Sequence, residues 1–467
     1  MVNLKALSAT VLAALILSTG FAPLGIWISV PIAYAIYLKV LEQSHGVLLN
    51  SFLFGFISNA LILSWSKTFV GVLPWILLSI LQGLYLLPVG SLARYVKRPI
   101  VLIFALLVMD EVKNHLPFGG FGWTRIAFSQ IESPFTPWVS LFGIVGLSLI
   151  TLALALALVA PHKYLVSTLL IALIASPFII SESTSSSSLQ VRAVQGGVPE
   201  RGLSFNARAE AVLDNHISVT RRDFKNSDDV IIWPENAIDV DPIRNETAKK
   251  KIGDLQKLTG KPLIGGAILS ENVLSNAAVL FDESGTAQSI YIKRYLTPFG
   301  EYIPLRFLAS LISPHVDRVT DFSPGDEFIN HEVKNQRIST VICYEILSDE
   351  IIRESAKETG IIAVLTNSAT FAGSAEGDQQ LAITRIRAIE TGRDIVSVST
   401  TGPSAFIDYR GDVLERLDDG EVGSISIAME VRNGKTLASQ YGGIITIAVI
   451  LLALLFIVRE LRKRSRK

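Results

Sequence analysis

The sequence predicts a multi-span α-helical membrane protein with an α/β domain inserted before its last span. Hydrophobic residues make up 49% of the 467 residues and charged residues only 18%, with a mean hydropathy of +0.44. This composition is too apolar for a soluble protein of this length. Long apolar stretches fill residues 1–181, and alternating strand and helix patterns follow from residue 189. These observations define the predicted fold class.

Seven apolar stretches in the first part of the chain are each about long enough to cross a bilayer as a helix. An eighth stretch, residues 442–458, is followed by a strongly basic tail. The first stretch has no convincing cleavage site and a second follows at once, so we interpret it as a span and not as a signal peptide. The seven stretches lie near residues 6–22, 24–41, 46–65, 69–92, 99–116, 135–160 and 163–181.

The positions of the basic residues predict the orientation of these spans. If the N-terminus is inside, the outer loops carry mainly Lys67 and Arg125. The inner segments then carry the basic tail together with Lys5, Lys39, Arg94, Lys97, Arg98 and Lys163. Because basic residues concentrate in cytoplasmic loops, both termini are expected in the cytoplasm, and residues near 188–435 are expected outside.

The change of pattern along the chain predicts its domains. Residues 1–181 are expected to form a seven-helix transmembrane bundle, and the Ser/Thr-rich residues 182–188 a linker. Residues 189–435 read as the inserted α/β domain. Residues 436–467 are expected to form the eighth transmembrane helix and a cytoplasmic tail.

Three apolar runs of the inserted domain each end in a residue that is suited to catalysis. They end at Glu235, at Lys293 and at Cys343, which is the only cysteine of the sequence. Acyl transfer through a thioester needs a base, a cation for the oxyanion and a thiol nucleophile. Each residue alone is more often structural, and a lone cysteine is usually a small buried apolar residue. Their occurrence together in one domain favours a catalytic site.

These motifs resemble a known superfamily. Trp233-Pro234-Glu235, Lys293 and Cys343-Tyr344-Glu345 occur in the order of the Glu-Lys-Cys triad of carbon-nitrogen hydrolases, the nitrilase superfamily. Residues 293–304, with the sequence KRYLTPFGEYIP, are similar to the signature of its apolipoprotein N-acyltransferase family. The resemblance extends over essentially the whole chain. It implies that the inserted domain is a nitrilase-like αββα sandwich.

The resemblance also implies roles for individual residues. Glu235 would be the general base, Lys293 the cation beside the oxyanion and Cys343 the nucleophile. Supporting roles fall to Glu301, which could orient Lys293, to the backbone amide of Tyr344 as a second oxyanion donor, and to Glu345 and Trp233. No cofactor and no metal are implied.

The activity implied by the family is transfer of a fatty acyl chain from a phospholipid, through a cysteine thioester, to a lipoprotein. The acceptor would be the N-terminal amino group of an S-diacylglyceryl-cysteine in an apolipoprotein. The expected location is the inner (cytoplasmic) membrane of a bacterial-type cell, with the catalytic domain on the outer side. The lipid bilayer is therefore itself an expected partner.

The sequence departs from the family pattern at four positions that bear on the substrate pocket. Phe205 follows the domain opening where a tryptophan is common. Ser368 and Thr370 alter the usual Asn-Asp-Ala-Trp-Phe-Gly segment. Gln380 or the adjacent Gln379 replaces a common histidine. None of these changes affects the three triad residues.

Several other functions are less consistent with the sequence. A membrane-anchored amidase or nitrilase acting on a small substrate would use the same triad but would need fewer spans. A transporter or receptor would need ionisable residues at bilayer depth, and the apolar stretches carry only a cluster near Asp110. The six histidines show neither a Cys-His protease setting nor metal-ligand spacing. The balance of 42 basic and 42 acidic residues gives no indication of nucleic-acid binding.

Overall fold

The computed structural model describes residues 3–43, 46–68, 71–179, 184–200, 209–310 and 320–465. The chain forms two compact units. Residues 1–181 and 436–467 form the first, which we call the helical unit. Residues 182–435 form the second, the α/β unit.

The helical unit is built from apolar helices around a core of small and aliphatic side chains. Its helices are α1 (Leu4–Ser18), α2 (Ser29–Leu41), α3 (Val47–Ile62), α4 (Val72–Leu84), α5 (Leu87–Tyr95), α6 (Pro99–Val112), α7 (Val139–Val159), α8 (Lys163–Ala175) and α14 (Leu437–Ser465). Within this core the rings of Tyr37 and Phe54 stack with their centroids 4.2 Å apart.

Three segments among the described residues are long and apolar enough to cross a membrane, judged by length and composition. These segments are Val72–Tyr95, Thr136–Val159 and Leu437–Arg464. Four shorter apolar helices accompany them, at Leu4–Ser18, Ser29–Leu41, Val47–Ile62 and Lys163–Phe178. The helical composition agrees with the predicted membrane class. Several helices are nevertheless shorter than the apolar stretches from which they were predicted.

The predicted fourth span, residues 69–92, is not one continuous helix. α4 ends at Leu84 and α5 begins at Leu87, with Pro88 in its first turn. Proline has no amide hydrogen, and its ring would collide with the carbonyl of Leu84 four residues earlier. Proline is well tolerated in the first turn, so the helix is interrupted before Pro88 and begins again. Residues 69–70 lie outside the described residues.

The described residues of the α/β unit form two six-stranded sheets. The first has the order β12-β1-β2-β3-β4-β5 and the second β11-β10-β9-β8-β7-β6. β1 to β3 are parallel, as are β7 to β9, and the flanking strands are antiparallel. The strands are β1 (Ser185–Gln195), β2 (Val230–Ile238), β3 (Leu263–Ser270), β4 (Leu274–Phe281), β5 (Ala287–Ile292), β6 (Asn330–Val333), β7 (Gln336–Ile342), β8 (Ile361–Thr366), β9 (Asp394–Ser399), β10 (Ser404–Ile407), β11 (Val413–Leu417) and β12 (Gly423–Arg432).

The two sheets pack face to face and helices cover their outer faces. Ile232 belongs to an apolar cluster that also contains Ile342 from the second sheet, whereas its neighbours Ile231 and Trp233 pack under α9 and α10. This alternation follows from the two-residue period of a strand. α12 and α13 pack on the second sheet, so the predicted αββα sandwich is confirmed. The helices are α9 (Ala211–Asp223), α10 (Glu246–Thr259), α11 (Arg306–Ser310), α12 (Asp349–Glu358) and α13 (Glu376–Thr391).

The predicted linker over residues 182–188 is wrong in its second half. β1 begins at Ser185, and Ser187 pairs with Val431 of β12. β12, β11 and β6 were not predicted from the sequence. β12 is the antiparallel partner that extends β1 toward its N-terminal end. A contact between residues so distant in sequence leaves no local pattern in the sequence. Residues 182–183 and Phe205 lie outside the described residues.

Candidate active site

Glu235 lies inside β2 at an irregularity, and not at a strand end as predicted. The pairing of β2 with β3 shifts between Trp233 and Ile238, and Asn236 has a φ of 56°. Strict alternation from Trp233 would turn Glu235 toward the helices. Bulges re-aim side chains, and the Glu235 carboxylate instead lies beside Lys293.

Lys293 follows directly after β5 and is 1% exposed. Its Nζ lies 2.8 Å from Glu301 Oε2, 3.3 Å from Glu235 Oε1 and 3.4 Å from Thr297 Oγ1. A buried ammonium is costly without opposite charge and hydrogen-bond acceptors. The two carboxylates supply both, and they keep Lys293 charged.

Asn276 joins the two carboxylates and was not identified from the sequence. Its Nδ2 donates to Glu235 Oε1 and to Glu301 Oε1, each at 2.7 Å. Asn276 is 2% exposed. It lies on β4, which pairs with β5. The available signal was a polar residue within the apolar strand Leu-Ser-Asn-Ala-Ala-Val-Leu-Phe.

Cys343 stands at the turn that follows β7. Its φ is 51°, a left-handed conformation that is rare for a residue with a side chain, and a short 3₁₀ helix (Cys343–Leu347) begins there. Such a turn projects a nucleophile from the end of a strand. Gln380 Nε2 lies 3.9 Å from Cys343 Sγ, and the thiol is close enough to the Glu235 carboxylate to lower the pKa of Glu235.

Glu345 holds the turn after Cys343 against the segment after Lys293. Its carboxylate accepts hydrogen bonds from the backbone amides of Ile342, Arg294 and Tyr295 at 2.8, 2.7 and 3.2 Å, and from the Tyr291 hydroxyl at 2.8 Å. Glu345 is fully buried. It therefore fixes the relative positions of the amine and the thiol.

The other two supporting residues occupy different places. The Tyr344 ring stacks on Tyr295 with centroids 5.4 Å apart. The Trp233 indole is in the core under α9, where its Nε1 donates to Thr220 Oγ1 at 2.9 Å. Trp233 thus packs away from the thiol and anchors β2.

The charges of the site shift the pKa values of its members in different directions. Burial raises the pKa of Glu235, although Lys293 opposes this, and the nearby Glu301 adds to the increase. Burial would also raise the pKa of Glu301, but the charge and hydrogen bond of Lys293 outweigh it and lower that pKa. Burial raises the pKa of the Cys343 thiol. The arrangement therefore has one carboxylate poised to take a proton and another that stays ionised.

The family assignment rests on sequence comparison. The family model for carbon-nitrogen hydrolases matches residues 190–433, and the chain belongs to that family. The model described as the apolipoprotein N-acyltransferase N-terminal domain matches residues 13–157. The chain therefore combines both parts of the apolipoprotein N-acyltransferases, the membrane-embedded branch of the superfamily, and the predicted resemblance is confirmed.

Curated relatives of similar length support this assignment. An apolipoprotein N-acyltransferase from Mycolicibacterium smegmatis is 29% identical, over 98% of this chain and 87% of the relative. One from Shewanella oneidensis is 28% identical, over 96% of this chain and 94% of the relative. Among solved structures, an amidase from Nesterenkonia sp. aligns with 54% of this chain and 94% of its own, at 17% identity and a TM-score of 0.41.

The bridging position of Asn276 generates a prediction. Asn276→Asp keeps the shape of the side chain but replaces the donor with a third acceptor between two carboxylates. Because like charges in one buried site disfavour ionisation, we expect the rate of acyl loading onto the enzyme to fall about 100-fold. Loading is measured in a rapid-mixing experiment with phospholipid.

The matched control is Asn272→Asp in the exposed turn between β3 and β4. It should load within about twofold of wild type, as surface changes usually do. Equal loading rates for both variants and wild type would show that Asn276 does not organise the site.

Proposed function

We propose that this enzyme transfers a fatty acyl chain from a phospholipid to the N-terminal amino group of an S-diacylglyceryl-cysteine in an apolipoprotein. The observation that carries the proposal is the cluster of Glu235, Lys293 and Cys343 in one buried site. The apolipoprotein N-acyltransferase N-terminal domain in the same chain supports it. The names of the curated relatives agree with this activity.

In the first half-reaction Glu235 takes the proton of the Cys343 thiol, and the thiolate attacks the ester carbonyl of the phospholipid. A C–S bond forms, and the oxyanion develops beside the Lys293 ammonium and the backbone amide of Tyr344. The ester C–O bond then breaks, and the leaving alkoxide of the lysophospholipid takes the proton from Glu235. The acyl chain remains on Cys343 as a thioester.

In the second half-reaction the acceptor amine attacks the thioester carbonyl. A C–N bond forms, and Glu235 takes a proton from the attacking nitrogen. The C–S bond then breaks, and Glu235 passes that proton to the departing thiolate. Glu301 and Asn276 hold Lys293 and Glu235 in place through both steps. Because the same carbonyl carbon passes through an oxyanion in each half-reaction, the Lys293 cation serves both, and Glu235 exchanges a proton with the Cys343 sulfur in both.

The first test separates transfer from hydrolysis. Purified enzyme is mixed with phospholipid, with or without a diacylglyceryl-cysteinyl peptide, and lysophospholipid is quantified. Without the acceptor peptide we expect no more than one lysophospholipid per enzyme, and with the acceptor peptide we expect continuous turnover. The reason is that the amine must remove the acyl chain from Cys343 before the thiol can react again. Cys343→Ala should release no lysophospholipid, either with or without the acceptor peptide.

Steady release of free fatty acid without acceptor would contradict the proposal. It would favour the alternative, a membrane-anchored carbon-nitrogen hydrolase acting on a small substrate. The apolipoprotein N-acyltransferase N-terminal domain counts against that alternative, because a soluble substrate would not need it.

We further propose that the enzyme lies in the cytoplasmic membrane with both termini inside and residues near 188–435 outside. The support is the excess of basic residues in the predicted inner segments. A periplasmically active reporter fused after Asn433 should be active, and the same reporter fused after Lys467 should be silent. The opposite pattern would place the active site on the wrong side of the membrane for a translocated lipoprotein.

A further inference from the structure

A second buried carboxylate, Glu376, lies close to the nucleophile but has no part in the steps above. Glu376 is in the first turn of α13, and Gln380 lies one turn further along the same helix. Residues four apart share a helix face, and Gln380 Nε2 is 3.9 Å from Cys343 Sγ. The Glu376 side chain therefore lies on the face of α13 that borders the thiol.

The surroundings of Glu376 leave it poorly satisfied. The residue is 4% exposed, yet its Oε2 has no hydrogen-bond partner among the described residues. The Ser368 hydroxyl, 3% exposed, interacts with the Glu376 carboxylate but leaves its Oε2 without a hydrogen bond of normal geometry in the described part of the chain. Buried polar atoms of this kind are normally paired. A buried carboxylate oxygen left unpaired beside a nucleophile points to a ligand that pairs with it.

The ligand class follows from the chemistry of the second half-reaction. An α-amino group has a pKa of about 8, so near pH 7 the acceptor arrives mostly as an ammonium. An ammonium has no lone pair and must lose one proton before it attacks. The nitrogen must lose a second proton when the amide forms. Glu235 can pass only one of these protons to the departing Cys343 thiolate, so the other needs a separate acceptor.

We propose that Glu376 is a catalytic residue of the second half-reaction. Its carboxylate binds the ammonium of the acceptor and takes the first proton, and the Ser368 hydroxyl accepts a hydrogen bond from the same nitrogen. The balanced step is thioester plus ammonium giving amide, thiol and one proton, which leaves through Glu376 to solvent. This role rests on the proposed function. It places the binding position of the acceptor amine at Glu376, beside Cys343.

The electrostatic surroundings suit this task. Burial raises the pKa of Glu376 to about 7, the Ser368 hydroxyl opposes the shift, and the negative charges of Glu235 and Asp419 add to it. The charge of Glu376 in turn contributes to raising the pKa of Cys343. A carboxylate with this pKa is ionised above about pH 7 and can accept a proton from an amine of pKa about 8. A carboxylate that only stabilises a helix N-terminus needs no such burial.

The test isolates the second half-reaction. Enzyme is first loaded with acyl chain from phospholipid, and the decay of the thioester is then followed after addition of a diacylglyceryl-cysteinyl peptide between about pH 6 and pH 9. Glu376→Gln should load within about twofold of wild type. Its transfer rate should be reduced about tenfold or more near pH 6.5 and should approach the wild-type rate near pH 9. The inflection of the rate should move from about pH 7 to about pH 8, the pKa of the free amine.

Asp378→Asn is the matched control. Asp378 lies in the same turn of α13, where its partly exposed carboxylate pairs with Arg416 at 3.1 Å, and the variant should keep the wild-type pH profile. The inference is overturned if Glu376→Gln slows loading as much as transfer, or if its transfer keeps the wild-type inflection. Failure of wild type to form any acyl-enzyme would instead contradict the proposed function itself.

Discussion

The buried ammonium of Lys293 is the interaction on which the rest of the site depends. It is almost fully removed from water, so its charge needs compensation from Glu235 and Glu301. Asn276 holds those two carboxylates at fixed positions by donating to both. The same contacts leave Glu235 close to the thiol of Cys343. Stabilisation of the Lys293 ammonium and placement of the Glu235 carboxylate therefore come from one network.

The fold builds this network from separate parts of the chain. An irregularity in β2 lets the Glu235 carboxylate lie beside Lys293, and a left-handed residue at Cys343 begins the tight turn that ends β7. Glu345 then ties the Cys343 turn to the segment after Lys293 through buried hydrogen bonds. Both departures from regular backbone lie at residues to which we assign catalytic roles, and local strain is often found at such sites.

Sequence patterns predicted the apolar helices, the parallel strands and the three triad stretches, because each has a local signature in periodicity or in a motif. They did not predict β12, whose partner β1 lies over 200 residues away, or the break between α4 and α5. In the site, Asn276 and Glu376 were not predicted, because neither has an unusual local pattern. Asn276 is a polar residue in a strand, and Glu376 is an acidic residue in the first turn of a helix. Their positions in the site follow only from contacts between elements that are distant in sequence.

An acyl thioester on Cys343 is detected most directly by the mass of the peptide that contains Cys343, after incubation of the enzyme with phospholipid alone. We expect a gain of one fatty-acyl group on this peptide, its removal by hydroxylamine and its transfer to a diacylglyceryl-cysteinyl peptide added later. An unmodified Cys343 peptide in an enzyme that nevertheless acylates lipoprotein would contradict the thioester mechanism.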